Sequence, residues 1–173
     1  LVDTAETRAA FPFAFQVQME IRPVASALEI VTTVSNTSEA GGEAMPFSFG
    51  LHPYFNVTDL AQTQLEGLAP RCLNHLEMAD AETASQLSRL PDGVDFLTRP
   101  SGPVTLVDTA AGTRLQLQHQ EPMDLTVVWT EPPRPMVCLE PWTGPRQPLV
   151  SGDRKLELSA GQSTTLTCRY LVS

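Results

Sequence analysis

The chain has 173 residues, 42% of them hydrophobic and 18% charged, which is typical of one globular domain with a substantial buried core. Its formal net charge of −9 argues against binding to nucleic acid, because contacts to phosphates need a basic face. The sequence has neither the ~18-residue apolar run of a membrane span nor a secretory signal at its start, so we expect no membrane partner.

Three cysteines are present, and no two of them are closely spaced: Cys72, Cys138 and Cys168. The last two stand inside apolar runs, which favours free buried thiols and a reducing compartment. We therefore expect a cytoplasmic location. No two Cys or His residues have the spacing of zinc ligands, so the sequence predicts no metal site.

Short runs that alternate between apolar and polar residues predict β-strands along most of the chain. In Phe13–Ile21 the residues Phe13, Phe15, Val17, Met19 and Ile21 share one face, and Leu28–Val34 follows as a second strand. Asp80–Leu90 is either a helix or a polar loop with one turn. Further strands are predicted at 113–118 and 125–129, and 155–158 with 163–172 is predicted to form a closing hairpin. This pattern predicts an all-β, antiparallel β-sandwich in one domain, residues 1–173.

Two of the apolar runs end on one ionisable residue that is followed by proline and an aromatic residue. The first run ends in His52-Pro53-Tyr54, and the second ends in Glu140-Pro141-Trp142. A strand that delivers His or Glu at its end places a proton donor or acceptor on a rigid support. If the fold brings His52 and Glu140 together, they form an acid and base pair suited to moving two protons.

Several motifs in the same order resemble the aldose 1-epimerase (mutarotase) superfamily, from about Thr7 to the C-terminus. The resemblance rests on Phe11–Phe15, Asn36, Met45–Phe47, Gly50–Asn56, Val137–Trp142 and Leu158–Leu166. It implies a galactose mutarotase-like sandwich that acts on sugars without a cofactor. It also implies that His52 is the general acid at the ring oxygen and that Glu140 is the general base at the anomeric hydroxyl, about one sugar ring apart.

The resemblance further implies a carboxylate that binds the sugar hydroxyls, for which Asp95 is the candidate and Asp92 the rival. Tyr54 and Trp142 are candidates for stacking on the sugar ring, whereas Phe55 is expected in the core. His75 and His119 have no matching context and are expected to be ordinary surface or strand residues. Each site residue also has a plain structural alternative: a backbone-bonded His52, a Glu140 paired with Arg146 or Arg154, and a solvated turn residue at Asp95.

Members of the superfamily are usually longer, and their preceding portion carries a second active-site His and an Arg. The chain therefore resembles the C-terminal two-thirds of a family member, and we expect it to be slow alone and prone to form a homo-oligomer. One alternative is a hexose-6-phosphate 1-epimerase, for which Arg134, Arg146 and Arg154 would have to form a phosphate site. The other is a non-catalytic carbohydrate-binding or regulatory module.

Overall fold

A computed structural model describes all 173 residues, with 47% of them in strands and 12% in helices. The strands are β1 Phe15–Val24, β2 Ala27–Asn36, β3 Met45–Phe47, β4 Tyr54–Asn56, β5 Thr63–Glu66, β6 Arg71–Asn74, β7 Ala79–Glu82, β8 Asp95–Thr98, β9 Val104–Asp108, β10 Thr113–His119, β11 Leu125–Trp129, β12 Met136–Trp142, β13 Leu156–Leu158 and β14 Ser163–Val172. The helices are α1 Ala5–Ala10, α2 Thr83–Leu87 and α3 Pro148–Ser151, with 3-10 turns at Leu60–Gln62 and Leu90–Asp92. None of the helices has the length and apolar character needed to cross a membrane.

Two six-stranded sheets form the fold, with the strand orders β1-β2-β14-β10-β9-β5 and β4-β12-β11-β8-β6-β7. All strand pairings are antiparallel, so the predicted fold class is confirmed. The inner faces of both sheets meet in one core cluster of 16 buried residues, among them Leu117 and Tyr170 from the first sheet and Phe96, Val128 and Leu139 from the second. The second sheet therefore has one face in the core and its other face free to form a site.

One hydrogen bond ties the first sheet to the strand that carries Glu140. Tyr170 of β14 is buried, and its hydroxyl donates to the backbone carbonyl of Leu139 in β12 at 2.8 Å. We expect Tyr170→Phe to lower the free energy of unfolding by about 1–2 kcal/mol, because the Leu139 carbonyl loses a buried donor. Urea denaturation would measure this change. Tyr54→Phe is the matched control, since Tyr54 is exposed, and equal stability of wild type and Tyr170→Phe would contradict the prediction.

The predicted closing hairpin is wrong. β13 pairs with β3 in a separate two-stranded sheet, while β14 pairs with β2 and β10. β13 does not pair with β14 because its end is held beside β2. The buried side-chain amide of Asn36, the last residue of β2, donates a hydrogen bond to the carbonyl of Leu158, the last residue of β13. Asp80–Leu90 is also divided differently from either expectation, since its first residues complete β7 and only Thr83–Leu87 is helical.

The apolar face predicted for β1 is only partly buried. Phe15 and Val17 pack against a second core cluster built around Met45 and Phe47, whereas Met19 and Ile21 are 44% and 58% exposed. β1 is the edge strand of its sheet, and residues 1–3 bond to its start at Phe15–Val17 but leave the part with Met19 and Ile21 uncovered. An exposed apolar edge favours self-association. The homo-oligomer therefore stays a prediction.

Candidate active site

The strand register places four residues in one row across the second sheet, and two of them, Tyr54 and Asp95, were predicted as site residues. Tyr54 of β4 pairs with Cys138 of β12, which pairs with Trp129 of β11, which pairs with Asp95 of β8. Paired residues in a sheet point to the same side, and residues two apart on one strand do so as well. Glu140 therefore shares this face with Asp95, on the side of the sheet opposite the core.

His52 reaches the same place because the segment before it lies along the end of β12. The backbone N–H of Phe49 donates to the Thr143 hydroxyl at 2.8 Å, and the N–H of Leu51 donates to the Pro141 carbonyl at 3.2 Å. Gly50 allows this close approach, since a β-carbon there would stand 2.7 Å from the ring of Trp142. Backbone contacts thus hold the Gly-Leu-His-Pro segment against the end of β12 and place the imidazole of His52 beside Glu140.

His52 and Glu140 face each other directly, with 3.4 Å between Nε2 of the imidazole and Oε1 of the carboxylate. This distance is shorter than the expected separation of about one sugar ring. Their surroundings differ sharply, since the side chain of His52 is 63% exposed and that of Glu140 is 1% exposed. His52 therefore borders solvent, whereas Glu140 is enclosed by protein.

Glu140 makes no ion pair with Arg146 or Arg154, which was the plain structural alternative for this residue. Its second oxygen, Oε2, accepts a hydrogen bond from the indole N–H of Trp142 at 3.0 Å. Burial raises the pKa of Glu140 to about 7, although the nearby His52 and the Trp142 N–H act in the opposite direction. A carboxylate with a pKa near neutrality is a much stronger base than an exposed one.

The raised pKa predicts a pH-dependent cost in stability. In the unfolded chain Glu140 titrates near its ordinary value of 4.5, and in the folded chain it titrates at about 7. Between these values the folded state holds more protons than the unfolded state, so the contribution of this group falls as pH rises through that range. A shift of this size corresponds to about 3 kcal/mol.

Glu140→Gln removes this titration and keeps the shape of the side chain. Relative to wild type, we expect the variant to gain up to about 3 kcal/mol of unfolding free energy between pH 4.5 and pH 8. Urea denaturation of both proteins at the two pH values would measure the gain. A stability difference that does not change with pH would show that Glu140 ionises normally in the folded state.

Asp95 lies on the opposite side of the same cleft, with both carboxylate oxygens occupied. Oδ1 is 2.7 Å from Nδ1 of His75, and Oδ2 accepts a hydrogen bond from the Arg146 guanidinium at 2.6 Å. Burial alone would raise the pKa of Asp95, but the hydrogen bonds and charges of His75 and Arg146 outweigh it and lower the pKa. Asp95 is therefore ionised. Its rival Asp92 is exposed in a 3-10 turn and does not line the cleft.

The cleft itself has a volume of about 340 Å³ and is lined by His52, Asp95, Val127, Trp129, Glu140, Trp142 and Arg146. A second cavity of about 500 Å³ adjoins it and shares His52, Trp142 and Arg146. Both volumes lie in the range of small-molecule sites. Trp142 lines both cavities, and its stacking on a sugar ring stays a prediction. Tyr54 shares the face of the sheet but is 65% exposed and does not line the cleft, while Phe55 packs on Tyr170 in the core.

The sequence reasoning missed one residue that lines the cleft, Arg146, and one that is buried behind it, His75. His75, expected at the surface or in a strand, follows β6 and is buried beside Asp95. Arg146 was considered only as a structural partner of Glu140 or as a phosphate ligand, and it lies at the junction of the two cavities. The signal for Arg146 was its place in the loop after Trp142. No pattern in the sequence distinguished His75, because its partner lies 20 residues away.

One cluster has the donor types of a metal site, since ligand atoms of His52, Cys138 and Glu140 lie within 4.8 Å of one another. The two contacts use opposite ring nitrogens: Nδ1 is 3.7 Å from the Cys138 sulfur, and Nε2 faces Glu140. An ion would bind only one of these nitrogens. Burial, reinforced by Glu140, raises the pKa of the Cys138 thiol to about 12. The arrangement suits proton transfer better than metal binding.

Comparison with known proteins places the chain among sugar-epimerase folds. A search of curated proteins finds no match. The structure resembles a crystal structure of a protein from Synechocystis sp. PCC 6803, with a TM-score of 0.92 and 26% sequence identity. The match covers 100% of this chain and 60% of that protein. It also resembles a galactose mutarotase-like protein from Lactobacillus casei (TM-score 0.80, 20% identity, 100% and 68% covered). A galactose mutarotase related enzyme from Lactobacillus acidophilus gives a TM-score of 0.77 at 18% identity, with 100% and 66% covered.

The chain thus spans 60% of the length of the Synechocystis protein. The sequence model of the aldose 1-epimerase family matches residues 1–171, which is nearly the whole chain. This match agrees with the motifs around His52 and Glu140 and with the sandwich that brings them together. The chain belongs to the aldose 1-epimerase family.

Proposed function

We propose that this chain interconverts the α and β anomers of a free aldose by general acid and base catalysis. The observation that carries the proposal is the pairing of an exposed imidazole with a buried carboxylate of raised pKa in one open cleft. Ring opening needs a proton at the ring oxygen and the loss of a proton from the anomeric hydroxyl. A positioned acid and base suit these two transfers.

In the proposed reaction the sugar enters between the two groups, and His52 turns outward to make room. Glu140 takes the proton of the anomeric hydroxyl while His52 gives a proton to the ring oxygen, so the C1–O5 bond breaks and an open-chain aldehyde forms. Rotation about C1–C2 presents the other face of the carbonyl. Closure then runs the same transfers in reverse, which returns His52 and Glu140 to their starting states.

The remaining cleft residues are proposed to hold the sugar. Asp95 and Arg146 stand together as an acceptor and a donor, 2.6 Å apart, and adjacent sugar hydroxyls offer a complementary donor and acceptor. The ring of Trp142 offers an apolar face to the sugar ring while its N–H holds Glu140. Tyr54, which does not line the cleft, is left with a weaker claim to bind the substrate.

A free aldose is favoured over a hexose 6-phosphate because the three arginines do not form one cluster. Arg134 pairs with Glu131, Arg154 pairs with Asp124, and only Arg146 lines the cleft. A phosphate site needs several converging donors. One arginine that is already paired with Asp95 is a poor substitute.

The test is the rate at which the chain brings freshly dissolved α-D-glucose or α-D-galactose to anomeric equilibrium, followed by polarimetry. We expect a rate that rises linearly with protein concentration and that is lower for glucose 6-phosphate. Faster turnover of the phosphate would favour the hexose-6-phosphate alternative. Binding of the sugar, measured by calorimetry, without any acceleration would favour the non-catalytic module.

A further inference from the structure

His75 is a buried histidine beneath the floor of the proposed sugar site. Its side chain is 0% exposed, and His75 makes two contacts with Asp95, one from its backbone and one from its ring. The backbone N–H of His75 donates to the Asp95 carbonyl at 2.8 Å, and ring Nδ1 lies 2.7 Å from Asp95 Oδ1. Backbone and side chain of Asp95 are thereby held by one neighbour.

The ionised carboxylate determines that the ring nitrogen of His75 facing it carries a proton. An ionised carboxylate only accepts hydrogen bonds, so the Nδ1 atom of His75 must carry the proton and donate it to Asp95. The other ring nitrogen, Nε2, is buried and has no hydrogen-bond partner. A buried polar atom without a partner is costly, and such an atom calls for a functional or structural reason.

The face of the same imidazole lies against the residue that holds the base. The rings of His75 and Trp142 are inclined by 30° with centroids 6.3 Å apart, and the Trp142 N–H binds Glu140. One side chain thus contacts both the carboxylate proposed to bind sugar and the indole that orients the proposed base. Arg146, with a side chain 45% exposed, pairs with the other carboxylate oxygen of Asp95 on the side nearer to solvent.

We propose that His75 is a positioning residue that fixes the orientation of Asp95 for sugar binding; the role rests on the proposed function. Its Nδ1–H ties down Oδ1, so that Oδ2 faces the cleft together with Arg146 as one rigid acceptor and donor pair. Without this tether the carboxylate rotates, and the pair no longer matches two adjacent hydroxyls. A misplacement of about 1 Å at a substrate-positioning group can cost up to 10²-fold in rate.

Two substitutions separate the tether from the packing of the ring. His75→Asn keeps an N–H near the position of Nδ1 but removes the ring, and His75→Phe keeps an aromatic ring against Trp142 but removes the donor. The matched control is His119→Asn. His119 is a second partly buried histidine, bonded to the Thr126 hydroxyl at 2.8 Å, and it does not line the cleft.

The first measurement is the KM and kcat of each variant for D-glucose, alongside its unfolding free energy. We expect His75→Phe to raise KM about tenfold with a smaller change in kcat, because a sugar-holding contact is loosened. His75→Asn should recover most of that loss, and His119→Asn should leave KM unchanged. Equal KM values for wild type and His75→Phe would overturn the proposal, as would losses in both His75 variants that follow only their loss of stability.

The second measurement does not depend on activity. In histidine-labelled protein, ¹H–¹⁵N NMR should show an exchange-protected proton on Nδ1 of His75, and Asp95→Asn should remove its strong downfield shift. A proton on Nε2 with none on Nδ1 would refute the tether whatever the enzyme does. If wild type neither binds nor turns over glucose while the Nδ1 signal depends on Asp95, the proposed function fails and the positioning of Asp95 stands.

Discussion

Replacing Glu140 with Gln is expected to slow the interconversion of D-glucose anomers by about 10²- to 10⁴-fold, the usual contribution of a positioned general base. The amide keeps the shape of the side chain and accepts the Trp142 N–H, but it cannot take the proton from the anomeric hydroxyl. Polarimetry on α-D-glucose measures the loss directly. Because the buried carboxylate is costly above pH 4.5, the inactive variant is also expected to be the more stable protein at neutral pH.

Glu131→Gln is the control for this substitution. Glu131 is an exposed residue that pairs with Arg134 at the surface, so its amide should leave the rate unchanged. Activity of Glu140→Gln within a few-fold of wild type would show that the proton is taken by another group. Circular dichroism on both variants would establish that the comparison concerns folded proteins.

Replacing His52 with Ala is expected to have an effect of similar size, about 10²- to 10⁴-fold, because the ring oxygen loses its proton donor. The substitution should cost little stability, since the side chain of His52 is 63% exposed. His119→Ala is the matched control. The rate is measured with the same polarimetric assay, and an unaffected His52→Ala variant would remove the imidazole from the mechanism.

The double variant tests whether the two groups act on one substrate. Groups that act as a unit show strongly non-additive losses, so His52→Ala with Glu140→Gln should be about as slow as the slower single variant. Losses that multiply would mean that His52 and Glu140 act in independent steps. Their distance of 3.4 Å in the cleft favours the first outcome.

The fold class could be predicted from local patterns because several strands carry their own signal. The alternation in Thr113–His119 and the β-branched residues before Asn36 mark strands that the structure contains. Pairing between distant strands carries no local signal. The runs at 155–158 and 163–172 are close in sequence and would form a hairpin by proximity alone, yet β13 pairs with β3 because the Asn36 amide binds Leu158.

In the candidate site, the two residues proposed to transfer protons could be identified from the sequence, and the residues around them less so. His52 and Glu140 end apolar runs, and a polar residue there is visible in the sequence. His75 was not, because its importance depends on lying 2.7 Å from Asp95 after β6 and β8 have paired. The contact between His52 and Glu140 also depends on the close approach of Gly50 to Trp142. These two residues are 92 positions apart, so the sequence alone does not show their pairing.

The central claim is that this chain moves two protons on one sugar with His52 and Glu140, and anomeric exchange of D-glucose tests it most directly. Two-dimensional exchange NMR at equilibrium measures the α-to-β rate without any coupled reaction. The account predicts a rate above that of buffer, proportional to the concentration of the wild-type chain, and a return to the buffer rate in the double variant His52→Ala with Glu140→Gln. Equal rates for the wild-type chain and the double variant would contradict it.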